Sequence, residues 1–204
     1  MEGILVQAAP VLPVLVIDDP ALAVPLASAL WQGGISVLEV TLRTGPALEV
    51  IRHIRQELPE VVVGAGTVLS ARQMQQAQQA GAQFAVSPGF TPALAEAATG
   101  QQMPWLPGVQ TASEVMQARE AGFRQLKLFP AGERGLELLD SYAGPFQDVV
   151  FCPSGGINPA SLARYLERPN VICCGGSWLA PRVLVEAREW PTITGLARQA
   201  RESC

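Results

Sequence analysis

Val37-Leu38-Glu39-Val40-Thr41-Leu42-Arg43 and, about twenty residues on, Val61-Val62-Val63-Gly64-Ala65-Gly66-Thr67-Val68 decide the fold. Both runs are short and rich in β-branched residues; the second is almost continuously apolar, and the first is so apart from Glu39, Thr41 and Arg43. That is the pattern of a strand covered on both faces. The stretch between them, 46–58, has the spacing of an amphipathic helix. Strands joined through a helix run parallel, because an antiparallel return needs only a short turn.

The same unit repeats in both directions. Strands are expected at 11–17, 37–42, 61–68, 84–88, 104–109, 125–129, 149–154 and 171–175. Helices are expected at 20–33, 46–58, 70–81, 92–99, 111–121, 134–142, 159–167 and 181–203. Ser70, Thr91-Pro92, Thr111-Ala112-Ser113-Glu114 and Asn158-Pro159 stand where helices start, and Gly81 and Gly122 where they end. Eight strand–helix units and no linker predict an α/β chain, 1–204, folded as one single-domain (β/α)8 TIM barrel. An open doubly wound sheet is the alternative, since closure is not written in the sequence.

Composition narrows the function. The chain has 204 residues, 49% of them hydrophobic and 16% charged, which argues against disorder. A net charge of −4 gives no electrostatic case for nucleic acid or an anionic membrane. The apolar stretch 3–17 is interrupted by Pro10 and Pro13 and is too short to span a bilayer, and Met1-Glu2-Gly3 lacks the basic start of a signal peptide. His53 is the only histidine, which excludes a multi-histidine metal site; it and the Gln-rich 73–79 are expected on solvated helix faces. Cys152, Cys173, Cys174 and Cys204 form no C-x-x-C and are expected as free thiols in a reducing compartment. The mean hydropathy of +0.23 suggests much buried strand, or apolar surface hidden in an oligomer.

Of the 14 basic residues, 13 are arginine; the one lysine, Lys127, sits in the apolar run Leu126-Lys127-Leu128-Phe129. In a barrel of this type chemistry gathers at the C-terminal ends of the strands. Side chains alternate along a strand, so Glu39, Thr41 and Arg43 share one face, leaving Leu38, Val40 and Leu42 for the helices. Lys127 falls on the corresponding face of the sixth strand. An ammonium held among apolar walls near another cation gives up its proton more easily, and a free amine attacks carbonyls to form a Schiff base. Two structural alternatives stand beside this: Glu39 paired with Arg43, or a buried Lys127 paired with Glu39. Gly64, Gly66 and Thr67 allow a ligand to approach closely, or mark a tight barrel corner. Pro153-Ser154-Gly155-Gly156-Ile157-Asn158 and Gly175-Gly176-Ser177 place glycine pairs and hydroxyls after the last two strands, the usual phosphate site of these barrels.

These stretches, together with Ser87-Pro88-Gly89, Lys127-Leu128-Phe129-Pro130-Ala131 and Gly175-Gly176-Ser177-Trp178-Leu179, resemble the 2-keto-3-deoxy-6-phosphogluconate aldolases, which often also act on 4-hydroxy-2-oxoglutarate. The resemblance runs nearly the whole chain, in order. It implies a class I aldolase on a (β/α)8 barrel, working as a cytoplasmic homotrimer on a phosphorylated keto acid, with no metal, no cofactor, no nucleic acid and no membrane. It implies Lys127 as the Schiff-base lysine and Glu39 as the general acid/base. Arg43 and Thr67 would hold the pyruvate carboxylate. Pro88 would border that site, and Phe129 joins the substrate-binding set. Ser154, Gly155, Gly156, Gly176 and Ser177 would cradle the phosphate. Leu128 stands where an aromatic is common, Ser154 where threonine is frequent, and Gly132-Glu133-Arg134-Gly135 departs from the usual loop. The competing readings are an aldolase for the phosphogalactonate epimer, a metal-free phosphate-binding isomerase, and a barrel kept only as a scaffold.

Overall fold

The computed structural model describes residues 1–202. A helix, α1 (Glu2–Ala8), precedes the first strand, β1 (Val11–Leu15). A short 3-10 turn at Pro20–Leu22 leads into α2 (Ala23–Gln32). There follow β2 (Val37–Thr41), α3 (Ala47–Glu57), β3 (Val62–Gly66), α4 (Ala71–Gln79), β4 (Ala85–Val86) and α5 (Pro92–Gly100). The next strand comes in two pieces, β5 (Trp105–Leu106) and β6 (Gly108–Val109), and is followed by α6 (Ala112–Glu120). The chain continues through β7 (Gln125–Leu128), α7 (Gly135–Tyr142), β8 (Val150–Pro153), α8 (Pro159–Leu166), β9 (Cys174–Gly176), α9 (Arg182–Glu186) and α10 (Trp190–Glu202).

All strand pairings are parallel, and they close on themselves. One run is ordered β5-β4-β3-β2-β1-β9 and the other β6-β7-β8. Pro107 divides β5 from β6 because proline has no N–H to give the ladder, yet its carbonyl still accepts from Lys127 N at 2.8 Å. On the far side, Phe151 N donates to Asn170 O and Ile172 N to Phe151 O, and bridges at Phe151–Val171 and Ser154–Gly175 join β8 to β9. The ring is therefore a barrel, and the open-sheet alternative falls.

The helix starts follow their sequence signals. Ser70 and Thr91 accept from the amides of Gln73 and Leu94, and Thr111–Glu114 and Asn158–Ser161 form reciprocal capping boxes. Gly81 and Gly122 take φ of +95° and +93° as helices end, a backbone that glycine enters without a Cβ clash. Three expectations need correction. The segment before the first strand is helical, because Pro10 ends one element and lets another begin. The strand expected at 104–109 is broken at Pro107. The helix expected over 181–203 is two helices, divided at Arg188, whose φ of +57° no helix continues. Ser203 and Cys204 lie outside the described residues; Cys152, Cys173 and Cys174 are buried and free of disulfides. His53 is half exposed, 3.8 Å from Glu49 on its own helix.

Strand parity sorts the core into two parts. Leu38, Val40, Val63, Ala65, Leu126 and Leu128 face outward into the layer beneath the helices. Inside the barrel, Leu12, Val37, Phe84, Val86, Leu106, Cys152 and Cys173 form a separate apolar floor, sealed from below by Leu5 and Ala8 of α1. The N-terminal helix is thus a plug, which leaves the opposite mouth for chemistry. Among the described residues no helix is long and apolar enough to cross a membrane. Leu5 is fully buried at this seal, so Leu5→Ala should lower the unfolding free energy by about 2–5 kcal/mol. Urea unfolding against the parent chain measures it, and an unchanged midpoint would mean that α1 contributes no core.

Candidate active site

Above the floor, the interior turns polar. Glu39 from β2 and Lys127 from β7 meet with Lys127 Nζ 3.4 Å from Glu39 Oε1, and both are buried, Glu39 at 1% and Lys127 at 6% exposure. The contact is longer than a tight charge-assisted bond of about 2.7–2.9 Å. Lys127 also lies over the Phe129 ring, 5.2 Å from its centroid. Taking two charges out of water is costly, and each offsets the other's penalty here.

Glycines make the room for this arrangement. A Cβ on Gly66 would overlap the Glu39 carboxylate, and one on Gly64 would overlap the Phe84 ring. A Cβ on Gly175 would come within 2.5 Å of Ser154 Oγ, and one on Gly108 would strike the Pro88 carbonyl. Gly64 and Gly66 thus admit the protein's own side chains, a use that the sequence reading did not separate from ligand approach.

Lys127 opens into a cavity of about 240 Å³ at the barrel mouth, lined also by Arg43, Phe129, Ser154, Gly155, Gly156 and Ser177. Val14, Val16, Ile157 and Gly175 complete its wall. Two cations, Arg43 and Lys127, line it and none of its lining residues is acidic, so the cavity suits an anionic ligand. Arg43 Nε donates to Thr67 Oγ1 at 3.2 Å. Thr67 itself has φ +56°, a conformation β-branched residues rarely adopt and one that is found where structure holds a functional group in place. Thr41 Oγ1 donates to Leu15 O and Thr44 Oγ1 to Ile17 O, tying the mouth ends of β1 and β2 together.

The far end of the cavity is the loop after β8. Gly155 and Gly156 have φ of +85° and +81°. Positive φ at two successive positions is a backbone that glycine enters without a Cβ clash. The carbonyls of Ser154 and Gly155 accept from Ala131 N and Gly132 N at 2.9 and 2.8 Å.

Most of the expected site residues come together. Lys127, Arg43, Phe129, Ser154, Gly155, Gly156 and Ser177 share the cavity, with Glu39 against the lysine. Thr67 reaches it through Arg43, and Pro88 stands behind Gly108, the register partner of Lys127. Gly176 is placed differently: it faces the Trp178 ring, and its neighbour Gly175 lines the cavity. Val14, Val16, Ile157 and Gly175 were missed, although parity from Leu12 and Cys173 would have found Val14, Val16 and Gly175. Of the two structural alternatives, Glu39 pairs with Lys127, while the Arg43 guanidinium bonds Thr67.

Comparison with known proteins places this geometry. Residues 3–196 match the family described as KDPG and KHG aldolase. The KHG/KDPG aldolase of Escherichia coli is 50% identical over 194 residues, 95% of this chain and 91% of its own length. A KDPG aldolase from Legionella pneumophila, with pyruvate captured as a covalent carbinolamine intermediate, superposes with a TM-score of 0.94 at 42% identity, covering 97% of each chain. The 2-keto-3-deoxy-6-phosphogluconate aldolase of Zymomonas mobilis, solved with 3-phosphoglycerate, gives 0.90 at 49% identity, covering 98% of this chain and 94% of that one. Matched in sequence and in structure over nearly all its length, the chain belongs to the KDPG and KHG aldolase family.

Proposed function

We infer that the chain is a class I aldolase, a carbon–carbon lyase that cleaves 2-keto-3-deoxy-6-phosphogluconate to pyruvate and glyceraldehyde 3-phosphate, and 4-hydroxy-2-oxoglutarate to pyruvate and glyoxylate. The observation that carries this is a lone buried lysine, paired to a buried glutamate, in the wall of a cationic cavity. A scaffold or an isomerase that formed no imine would have no use for an amine there.

The steps follow from the placement. Lys127 Nζ attacks the C2 ketone, and Glu39, already in contact, takes and returns the protons as the carbinolamine loses water to become an iminium. The iminium withdraws electrons from C3. With Glu39 as base, the C4 hydroxyl loses its proton, the C3–C4 bond breaks, and the aldehyde leaves behind an enamine. Protonation at C3 and hydrolysis release pyruvate and restore the free lysine. Arg43, oriented by Thr67, is the partner for the carboxylate. The Ser154–Gly156 backbone with Ser177 and Gly175 takes the phosphate, and Phe129 and Pro88 shape the walls between.

Assembly as a cytoplasmic homotrimer belongs to the same reading. Its support is the family resemblance, joined by the mean hydropathy of +0.23 and by exposed Leu69, Met116 and Val183.

Three tests follow. Borohydride added with pyruvate should attach a single reduced adduct, and peptide mapping should place it on Lys127, with the N-terminal amine as the control. Lys127→Arg should neither label nor turn over, because a guanidinium stays protonated; an active but unlabelled parent enzyme would sink the imine route. Glu39→Gln should cut kcat by roughly 10²–10⁴-fold in a coupled assay for pyruvate, and near-normal turnover would reject its role. Gly66→Ala, which crowds the Glu39 carboxylate, should cost about 10²-fold in kcat through misplacement, with labelling of Lys127 retained.

A further inference from the structure

Tyr165 lies on α8, buried to 2% exposure, outside the walls of the cavity. Its hydroxyl donates to Gly132 O at 2.7 Å. Gly132, with φ +51°, belongs to the loop Pro130–Gly132 that leaves the strand of Lys127. That loop lies directly on the turn after β8: Ala131 N and Gly132 N hold the carbonyls of Ser154 and Gly155, and a Cβ on Gly156 would come within 3.0 Å of Gly132 Cα. The loop's other end is held by Gln110, which donates from Nε2 to Pro130 O at 3.2 Å and whose own carbonyl accepts from the Tyr142 hydroxyl at 2.8 Å.

We propose that Tyr165 is a positioning residue for the phosphate end of the substrate: its hydroxyl fixes the Pro130–Gly132 loop, and that loop sets the shape of the Ser154–Gly156 backbone. The proposal rests on the reading of that backbone as a phosphate cradle. Gly135 serves the same contact, since a Cβ there would come within 2.5 Å of the Tyr165 hydroxyl. Burial pushes the hydroxyl's pKa up, and Cys174 adds to this against the opposing pull of Arg164, so the donor proton stays in place. Lys127 and Glu39 are positioned by β7 and β2 themselves, so loss of the tyrosine bond should be felt at one end of the substrate only.

The test compares Tyr165→Phe with the parent enzyme on a phosphorylated and a phosphate-free reaction. Without the bond, KM for 2-keto-3-deoxy-6-phosphogluconate should rise by about 3–10-fold, the scale of one neutral hydrogen bond, with kcat within about two-fold. The inhibition constant of inorganic phosphate should rise by the same factor. Exchange of pyruvate methyl protons for deuterium, which needs Lys127 and Glu39 but no phosphate, should be unchanged. Gly135→Ala pushes on the same hydroxyl and should give the same split. Equal losses in cleavage and exchange, no change in either, or failure of both variants to fold would overturn the proposal and make Tyr165 an ordinary core residue. A parent enzyme that traps no pyruvate, or is indifferent to phosphate, would overturn the underlying reading and this one with it.

Discussion

A salt bridge across the inside of the barrel organises this molecule. Glu39 is on β2 and Lys127 on β7, four strands apart whichever way the ring is followed, counting β5 and β6 as one. Two charged side chains from opposite walls can meet only if little else occupies that level. The register supplies the gap: Glu39 lies beside Gly64 on β3, and Lys127 beside Gly108 on β6 and Cys152 on β8. The glycines of the interior are therefore cut to the shapes of Phe84, Glu39, Ser154 and the Pro88 carbonyl. Close packing of this kind holds the carboxylate against the amine without a covalent tie.

Below that level the interior is apolar and closed by α1; above it the interior is polar and open. The division matters for the chemistry. A floor of Leu12, Val37, Phe84, Leu106 and the two facing cysteines keeps water from reaching the ion pair from beneath. On the solvent side Lys127 opens into a cavity walled by Arg43 and the Ser154–Gly156 turn. An anion entering there meets the positive charges of Arg43 and Lys127.

Much of this was legible in the sequence, because periodicity and parity are local properties. Alternation of apolar strands with capped helices is enough for eight parallel strand–helix units, though not for their closure, and the two-residue period places Glu39, Arg43 and Lys127 on the inner face. What was not legible depends on breaks and on neighbours. Glu2–Ala8 reads as a continuation of the apolar run that follows, and only Pro10 marks the boundary. Arg188 ends a helix by adopting a positive φ, for which an arginine gives no warning. Pro107 sits in a strand that would otherwise read as continuous. In the Gly175-Gly176 pair, parity with Cys173 turns Gly175 inward, and its pairing with Leu12 of β1 agrees. The purposes of Gly64 and Gly66 lie in Phe84 and Glu39, residues distant in sequence, and no local pattern carries that information.

The scarcity of lysine also takes on a physical meaning. On the proposed reading the two cations of the cavity have opposite requirements. Arg43 would have to stay charged to hold a carboxylate, and its planar fork, bonded to Thr67, suits that task. The other cation must be able to lose its proton to act as a nucleophile, which a guanidinium cannot do at any pH the protein meets. Lysine is the residue that satisfies the second requirement, and it is used once in 204 residues, at 127. Its pairing with Glu39, which alone would read as structural, also fits the proposed reaction: a carboxylate in contact with the amine is placed to accept the proton that would have to leave before carbon is attacked. The same 3.4 Å contact offsets the cost of burying the charge in the resting protein and, on that reading, would be the route by which the charge is lost.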